Sequence, residues 1–172
     1  MGGGGGGRLS SPDELSKLEQ VAKDTLKKSA EPAKRNVFLS FASEDLDEVN
    51  LLRGQAKNEK SELEFNDWSV KEPFDSKNAE YIKRGIRERI RQSSVTVVYI
   101  SDQTANSKWV DWEIRESIAQ GKGVVAMHKG TTPPSSVPPA ISEHKIPVVP
   151  WNHQELSKAI EQEADRDKRN IL

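Results

Sequence analysis

The sequence predicts an α/β fold: a five-stranded parallel sheet with helices on both faces. Three observations carry that expectation. Short apolar runs recur along the chain, at VFLSF (37–41), LEF (63–65), VTVVYI (95–100), VVAMH (124–128) and IPVVPW (146–151). Segments between them place apolar residues at helical spacing. The run VTVVYI is continuous and β-branched, the pattern of a strand covered on both faces. Strands alternating with helices make a parallel sheet, and right-handed crossovers leave few topologies. The flavodoxin-like strand order 2-1-3-4-5 is the expectation.

Taken in order, the chain opens with Gly2 to Gly7, which resist ordering because glycine loses the most backbone entropy. A helix start follows. Ser11 reads as the N-cap, Pro12 as the first helical residue, and Glu14 completes a capping box. Leu15, Leu18, Ala22 and Leu26 form a narrow stripe that can pack on the domain or take a partner. EPAKR (31–35) reads as a linker. Residues 1–35 are therefore expected to be tail, helix and linker, 36–165 the domain, and 166–172 a charged tail.

Within the domain, DLDEVNLLRGQAK (45–57) reads as a helix and NDWSVKEPFDSKNAE (66–80) as a polar loop. AEYIKRGIRERIRQ (79–92) puts Ala79, Ile82, Ile86 and Ile90 on one helical face. Its Lys83, Arg84, Arg87, Arg89 and Arg91 read as a solvated surface, or as a contact for phosphates or an acidic neighbour. SKWVDWEIRESIAQGK (107–122) is a helix closed by Gly121. KGTTPPSSVPPAISEH (129–144) reads as a proline-rich loop without helical signal, and HQELSKAIEQEADRDKR (153–169) as the last helix.

Composition excludes several functions. A net charge of −1 argues against general nucleic-acid binding. Without cysteine there is no disulfide framework and no thiolate metal site. His128, His144 and His153 are too scattered to suggest zinc. No apolar run approaches the ~18–20 residues of a membrane span, and no signal peptide is evident. A cytoplasmic protein without metal, nucleic acid or membrane partner is expected.

In such a fold, ligands bind beyond the carboxyl ends of the strands, where the strand order reverses. That rule singles out FASED (41–45) and SDQTANSKWVDWE (101–113). Trp109 and Glu113 are four residues apart and share a helix face, while Val110, Ile114 and Ile118 form a second stripe. Glu113 is thus either a catalytic carboxylate beside an indole, or a half-buried glutamate paired with Lys108 or Arg115. No GxxxxGK[ST] loop and no credible Ser-His-Asp arrangement is present. A phosphoacceptor receiver shares the fold, and Glu44 and Asp45 suit it. Asp102 falls late for it, however, and Pro150-Trp151 stands where its lysine should be.

NVFLSFASED (36–45), FNDWS (65–69) and SKWVDWEIRESIAQGKGVVAMH (107–128) resemble the TIR-like domains of bacterial defence systems. The similarity is greatest to the TIR-like subunit of the Thoeris antiphage system, over roughly residues 36–160. The resemblance implies a flavodoxin-like sheet, NAD as substrate rather than cofactor, and cleavage of the nicotinamide–ribose bond. It also implies an ADP-ribose-derived signal, cyclic in Thoeris members, that activates a separate effector.

The family's catalytic glutamate lies in its W-V-x-x-E motif, which here ends at Glu113. Phe41, Trp68 and Trp109 become candidates to shape the nicotinamide pocket, with core packing the alternative for Trp109. Ser43 to Asp45 become candidate N–H donors to the diphosphate. Asp67 and Ser69 occupy the family's D-x-S position, or form a turn and helix cap. The family often assembles to complete its site, and Pro73 and Phe74 suit a contact with another protomer. The alternative of a different class is a catalytically silent scaffold, since adaptor members lack the glutamate.

Overall fold

The computed structural model describes residues 12–30, 35–58, 63–67 and 72–170. The chain divides into two compact units, 1–33 and 34–172. The first contains helix α1, Pro12–Ala30, with Asp13 and Glu14 in its first turn, where acids suit the helix dipole. Its Leu15, Leu18 and Val21 are 53%, 62% and 62% exposed. Ser11, the expected cap, lies outside the described residues.

The second unit runs β1 (Arg35–Ser40), α2 (Leu46–Asn58), β2 (Leu63–Asn66), α3 (Ala79–Gln92), β3 (Val95–Ile100), α4 (Lys108–Ala119), β4 (Gly123–His128), α5 (Pro139–Glu143), β5 (Val148–Pro150) and α6 (His153–Asn170). The sheet order is β2-β1-β3-β4-β5, and every pairing is parallel. This is the flavodoxin-like arrangement, with its switch point between β1 and β3. Phe38 registers with Thr96, and Ser40 with Val98.

Strand alternation sorts the core into two layers. Val37 and Leu39 of β1 and Val95, Val97 and Tyr99 of β3 pack with Val49 and Leu52 of α2 and Leu156 and Ile160 of α6. On the other face, Val98 and Ile100 pack with Val110 and Ile114 of α4 and Ala140 and Ile141 of α5. Beside them, Phe38 shares a cluster with Ile82, Ile86 and Ile90 of α3 and with Trp109. The stripe read from α3 is thus buried as its spacing predicts.

Two details depart from the sequence reading. The proline-rich loop contains α5, with Pro139 in its first turn. Its cap comes from elsewhere in the fold, as Asp111 Oδ1 accepts the Ala140 N–H at 2.9 Å. The fifth strand is only Val148–Pro150, because Ile146 instead donates its N–H to Ile141 O at 3.0 Å and closes α5. The last helix, read over 153–169, is α6, His153–Asn170.

Candidate active site

Helix α4 begins at the switch point. Ser107 caps it, its Oγ accepting the Val110 N–H at 3.3 Å. Gly121 ends it at φ 75°, a left-handed conformation that glycine adopts without strain. Between these ends the helix presents Val110 and Ile114 to β3 and β4. A second row, Trp109, Glu113 and Ser117, repeats every four residues and faces the β1 and α3 side.

Trp109 anchors the first turn of that row. It is 7% exposed, meets the Phe74 ring edge-on at 4.9 Å, and donates its indole N–H to Glu72 O at 2.6 Å. Ser117 anchors the far end. Its Oγ lies 2.7 Å from Thr96 Oγ1 and donates to Glu113 O at 2.7 Å. Glu113 sits between the two anchors and is fully buried. A carboxylate is among the groups least often buried without a specific reason. The basic residues suggested as its partners are engaged elsewhere: Lys108 with Asp75 at 3.8 Å, and Arg115 with Asp111 and Glu143 at 2.8 Å each.

The other predicted site residues do not all converge on Glu113. Phe41 belongs with Val37 and Leu39 to the α2 and α6 layer, on the opposite face of the sheet. The Arg53 guanidinium lies 6.0 Å from its ring centre. Ser43 is exposed and opens a short 3-10 turn, Ser43–Asp45, at the carboxyl end of β1. The Asp45 N–H there already donates to Ala42 O at 2.9 Å, so it is not open to a diphosphate. Trp68 and Ser69 lie outside the described residues. Asp67 is tied to Arg53 at 2.6 Å, and its carbonyl accepts from Arg89 at 2.8 Å, a structural role the spacing alone did not show.

Two features of the edge were not read from the sequence. Ser101 Oγ donates to Asp45 Oδ2 at 2.6 Å, joining the loops that follow β3 and β1. Burial holds the Asp45 carboxyl above its ordinary range, against the Ser101 hydrogen bond, with Glu44, Glu48 and Asp102 adding to the rise. Ser40 is fully buried at the end of β1, and its Oγ has no hydrogen-bond partner among the described residues. The basic face of α3 is locally engaged: Lys83 Nζ lies 4.3 Å from the Phe74 ring centre, and Arg87 lies 5.4 Å from that of Trp112.

A cavity of about 320 Å³ opens at the carboxyl ends of β3 and β4, lined by Ser101, Asp102, Lys129 and Thr132 among others. A second, of about 350 Å³, flanks the outer side of α4 between Phe74, Trp112 and Pro139. Glu113 lines neither. Among the described residues, no helix is long and apolar enough to cross a membrane, and no three His, Cys, Asp or Glu side chains gather as a metal site.

The chain is thus an α/β domain with a parallel flavodoxin-like sheet and a buried glutamate on the helix after its third strand. Residues 38–133 match the family described as Thoeris protein ThsB, TIR-like domain, and the chain belongs to that family. It is 35% identical over 98 residues to a Bacillus cereus (strain MSX-D12) protein named "Putative cyclic ADP-D-ribose synthase ThsB1". That match covers 55% of this chain, which spans about half (51%) of the relative's length. Among solved structures, the fold is similar to the Clostridium botulinum CMP N-glycosidase BcmB, at 16% identity and TM-score 0.46, covering 72% of this chain and 98% of that one. It is also similar to the TIR domains of the activated Roq1 resistosome recognizing the effector XopQ, at 17% identity and TM-score 0.41, covering 80% and 76%.

Proposed function

We propose that this chain is a TIR-type NAD glycohydrolase or cyclase of antiphage defence. In this reading it breaks the nicotinamide–ribose bond of NAD and yields an ADP-ribose-derived, cyclic signal for a separate effector. The observation that carries the reading is Glu113, wholly buried at the switch-point helix in the motif Trp109-Val110-Asp111-Trp112-Glu113. Membership of the ThsB TIR-like family supports it, as does the name of the Bacillus cereus relative.

The chemistry accounts for a single carboxylate. Glycosidases generally use two, one of them to protonate the leaving oxygen. Nicotinamide in NAD is a pyridinium. When its bond to ribose breaks, the electron pair passes to the ring nitrogen, and the base leaves neutral without a general acid. The positive charge moves onto the ribose, which becomes oxocarbenium-like. Glu113 stabilises that charge electrostatically and accepts from the ribose hydroxyls, an effect strongest where water is excluded. Water captures the ribosyl cation in hydrolysis, and an atom of the same nucleotide captures it in cyclisation.

Glu113 is closed to solvent in this form. Turnover therefore requires an opening at the carboxyl edge, and self-association is the proposed trigger. The segment around Glu72 and Phe74 is the natural lever, because it bears directly on Trp109 one turn from Glu113. The test is to incubate the full chain with NAD, dilute and under conditions that drive assembly, and to separate the products by chromatography. Nicotinamide release that Glu113→Gln abolishes is the expected result. Silence of the wild type under every assembly condition would instead support the scaffold alternative.

A further inference from the structure

We infer that Ser40 is a substrate-contacting residue, its Oγ hydrogen-bonding a hydroxyl of the ribose that Glu113 is proposed to hold. The inference rests on the NAD-cleaving reading above and adds a second sugar contact from the central strand.

Strand alternation puts Ser40 on the same face of β1 as Phe38, toward α3 and α4, since Val37 and Leu39 face the other layer. Position along the strand comes from register. Ser40 pairs with Val98, two residues beyond the Phe38–Thr96 pair. Thr96 is hydrogen-bonded to Ser117 of α4. Helix α4 follows β3 and leads to the parallel β4, so it runs back antiparallel to the strands. From Ser117 to Glu113 is one turn, about 6 Å. From Thr96 to Val98 is about 6.6 Å. The two steps match, so Glu113 stands at the level of the Ser40–Val98 pair. Glu113 also shares its row with Trp109, which clusters with Phe38 of β1. Ser40 and Glu113 thus approach one region from two elements, at the switch point of the sheet.

The state of the hydroxyl supplies the second line of argument. Ser40 is fully buried, and its Oγ has no partner among the described residues. A buried hydroxyl without a partner costs free energy, and alanine would fill the same space without that cost. Local rules of this kind are broken at functional sites. The missing partner is of the class that Oγ can both donate to and accept from, and a sugar hydroxyl meets that description. Nearby Thr96 and Ser117 show the contrast, because those two buried hydroxyls satisfy each other.

The experiment compares wild type, Ser40→Ala and Glu113→Gln as full chains, by thermal unfolding and by nicotinamide release from NAD under assembling conditions. Ser40→Ala is expected to unfold at the same or a higher temperature, yet to lose kcat/KM on the order of tenfold. A structural serine would show the opposite, with stability falling and activity following it. NAD analogues lacking one or the other hydroxyl of the nicotinamide-side ribose then locate the contact. One of them is expected to slow the wild type about tenfold and to slow Ser40→Ala little further. Full activity of Ser40→Ala beside an active wild type overturns this inference alone, as does an equal further loss with both analogues. A wild type that neither releases nicotinamide nor is stabilised by NAD overturns the proposed function, and the ribose contact falls with it.

Discussion

Glu113 and Asp111 stand two residues apart on α4 in opposite environments. Glu113 faces the sheet, fully buried, whereas Asp111 faces outward, accepts the Ala140 N–H and pairs with Arg115 at 2.8 Å. Replacing Glu113 by glutamine keeps its shape and removes the charge. Electrostatic stabilisation of this type is worth about 3–4 kcal/mol, so nicotinamide release should fall a hundredfold or more. Asp111→Asn keeps an acceptor for Ala140 and loses only a partly exposed ion pair, so turnover should persist. Equal losses in the two variants would remove Glu113 from the chemistry. Asp45 carries a different expectation, in pH. Burial raises its carboxyl above the ordinary range, so the folded chain holds that proton more tightly than the unfolded one. The sign follows from linkage. Its contribution to stability is full below the unfolded pKa and declines as pH rises through the window up to the raised native value. Asp45→Asn keeps an acceptor for Ser101 and escapes the decline. The variant should therefore melt above the wild type at neutral pH, and the gap should close toward about pH 3. Melting curves showing the gap widening in acid would contradict the assignment.

At the scale of elements, α6 and β4 approach so closely that Gly123 has no room for a side chain. A Cβ there would lie 2.8 Å from both Cβ and O of Glu163. One of those atoms is helix backbone, which yields only if α6 moves. Gly123→Ala should cost about 1–3 kcal/mol in urea unfolding. Gly54, inside α2, has nothing within 4 Å of the same position. Alanine there should gain about 0.5–1 kcal/mol through helix propensity. Matching shifts for both would mean that α6 is not seated on β4 as described. The same elements show what a sequence can and cannot reveal. The buried stripe of α3 and the unbroken run of β3 are properties of neighbouring residues, and they were legible. Helix α5 was not, because its cap, Asp111, comes from 29 residues away in the chain. The short β5 was not, because Ile146 is claimed by that same helix. At the candidate site, the W-V-x-x-E motif singles out Glu113 from neighbouring residues alone, and the fold adds its burial. Ser40 carries no such signal, because the surroundings of a buried hydroxyl exist only in three dimensions. Alternation along VFLSF groups Phe41, a candidate pocket residue, with Val37 and Leu39, and the fold packs it there.

At the scale of the whole molecule, the question is how much of the chain the domain needs. Among the described residues, the first in its buried clusters is Val37. β1 itself begins at Arg35, paired to Leu63, so the cut that spares the sheet falls before it. Helix α1 belongs to the separate unit 1–33 and exposes Leu15, Leu18 and Val21. A lone helix of its length gains little stability in water unless a tertiary surface covers its apolar face. The domain core, in contrast, is built from apolar burial, the dominant favourable term in folding. Residues 34–172 alone should therefore keep a single cooperative thermal transition with a midpoint close to that of the full chain. Because Ser40 and Glu113 lie within that fragment, it should also release nicotinamide once assembled. Loss of the transition on removing 1–33 would make α1 part of the core. A fragment that folds but stays silent where the full chain is active would assign α1 to assembly, and would make Leu15, Leu18 and Val21 the first positions to substitute.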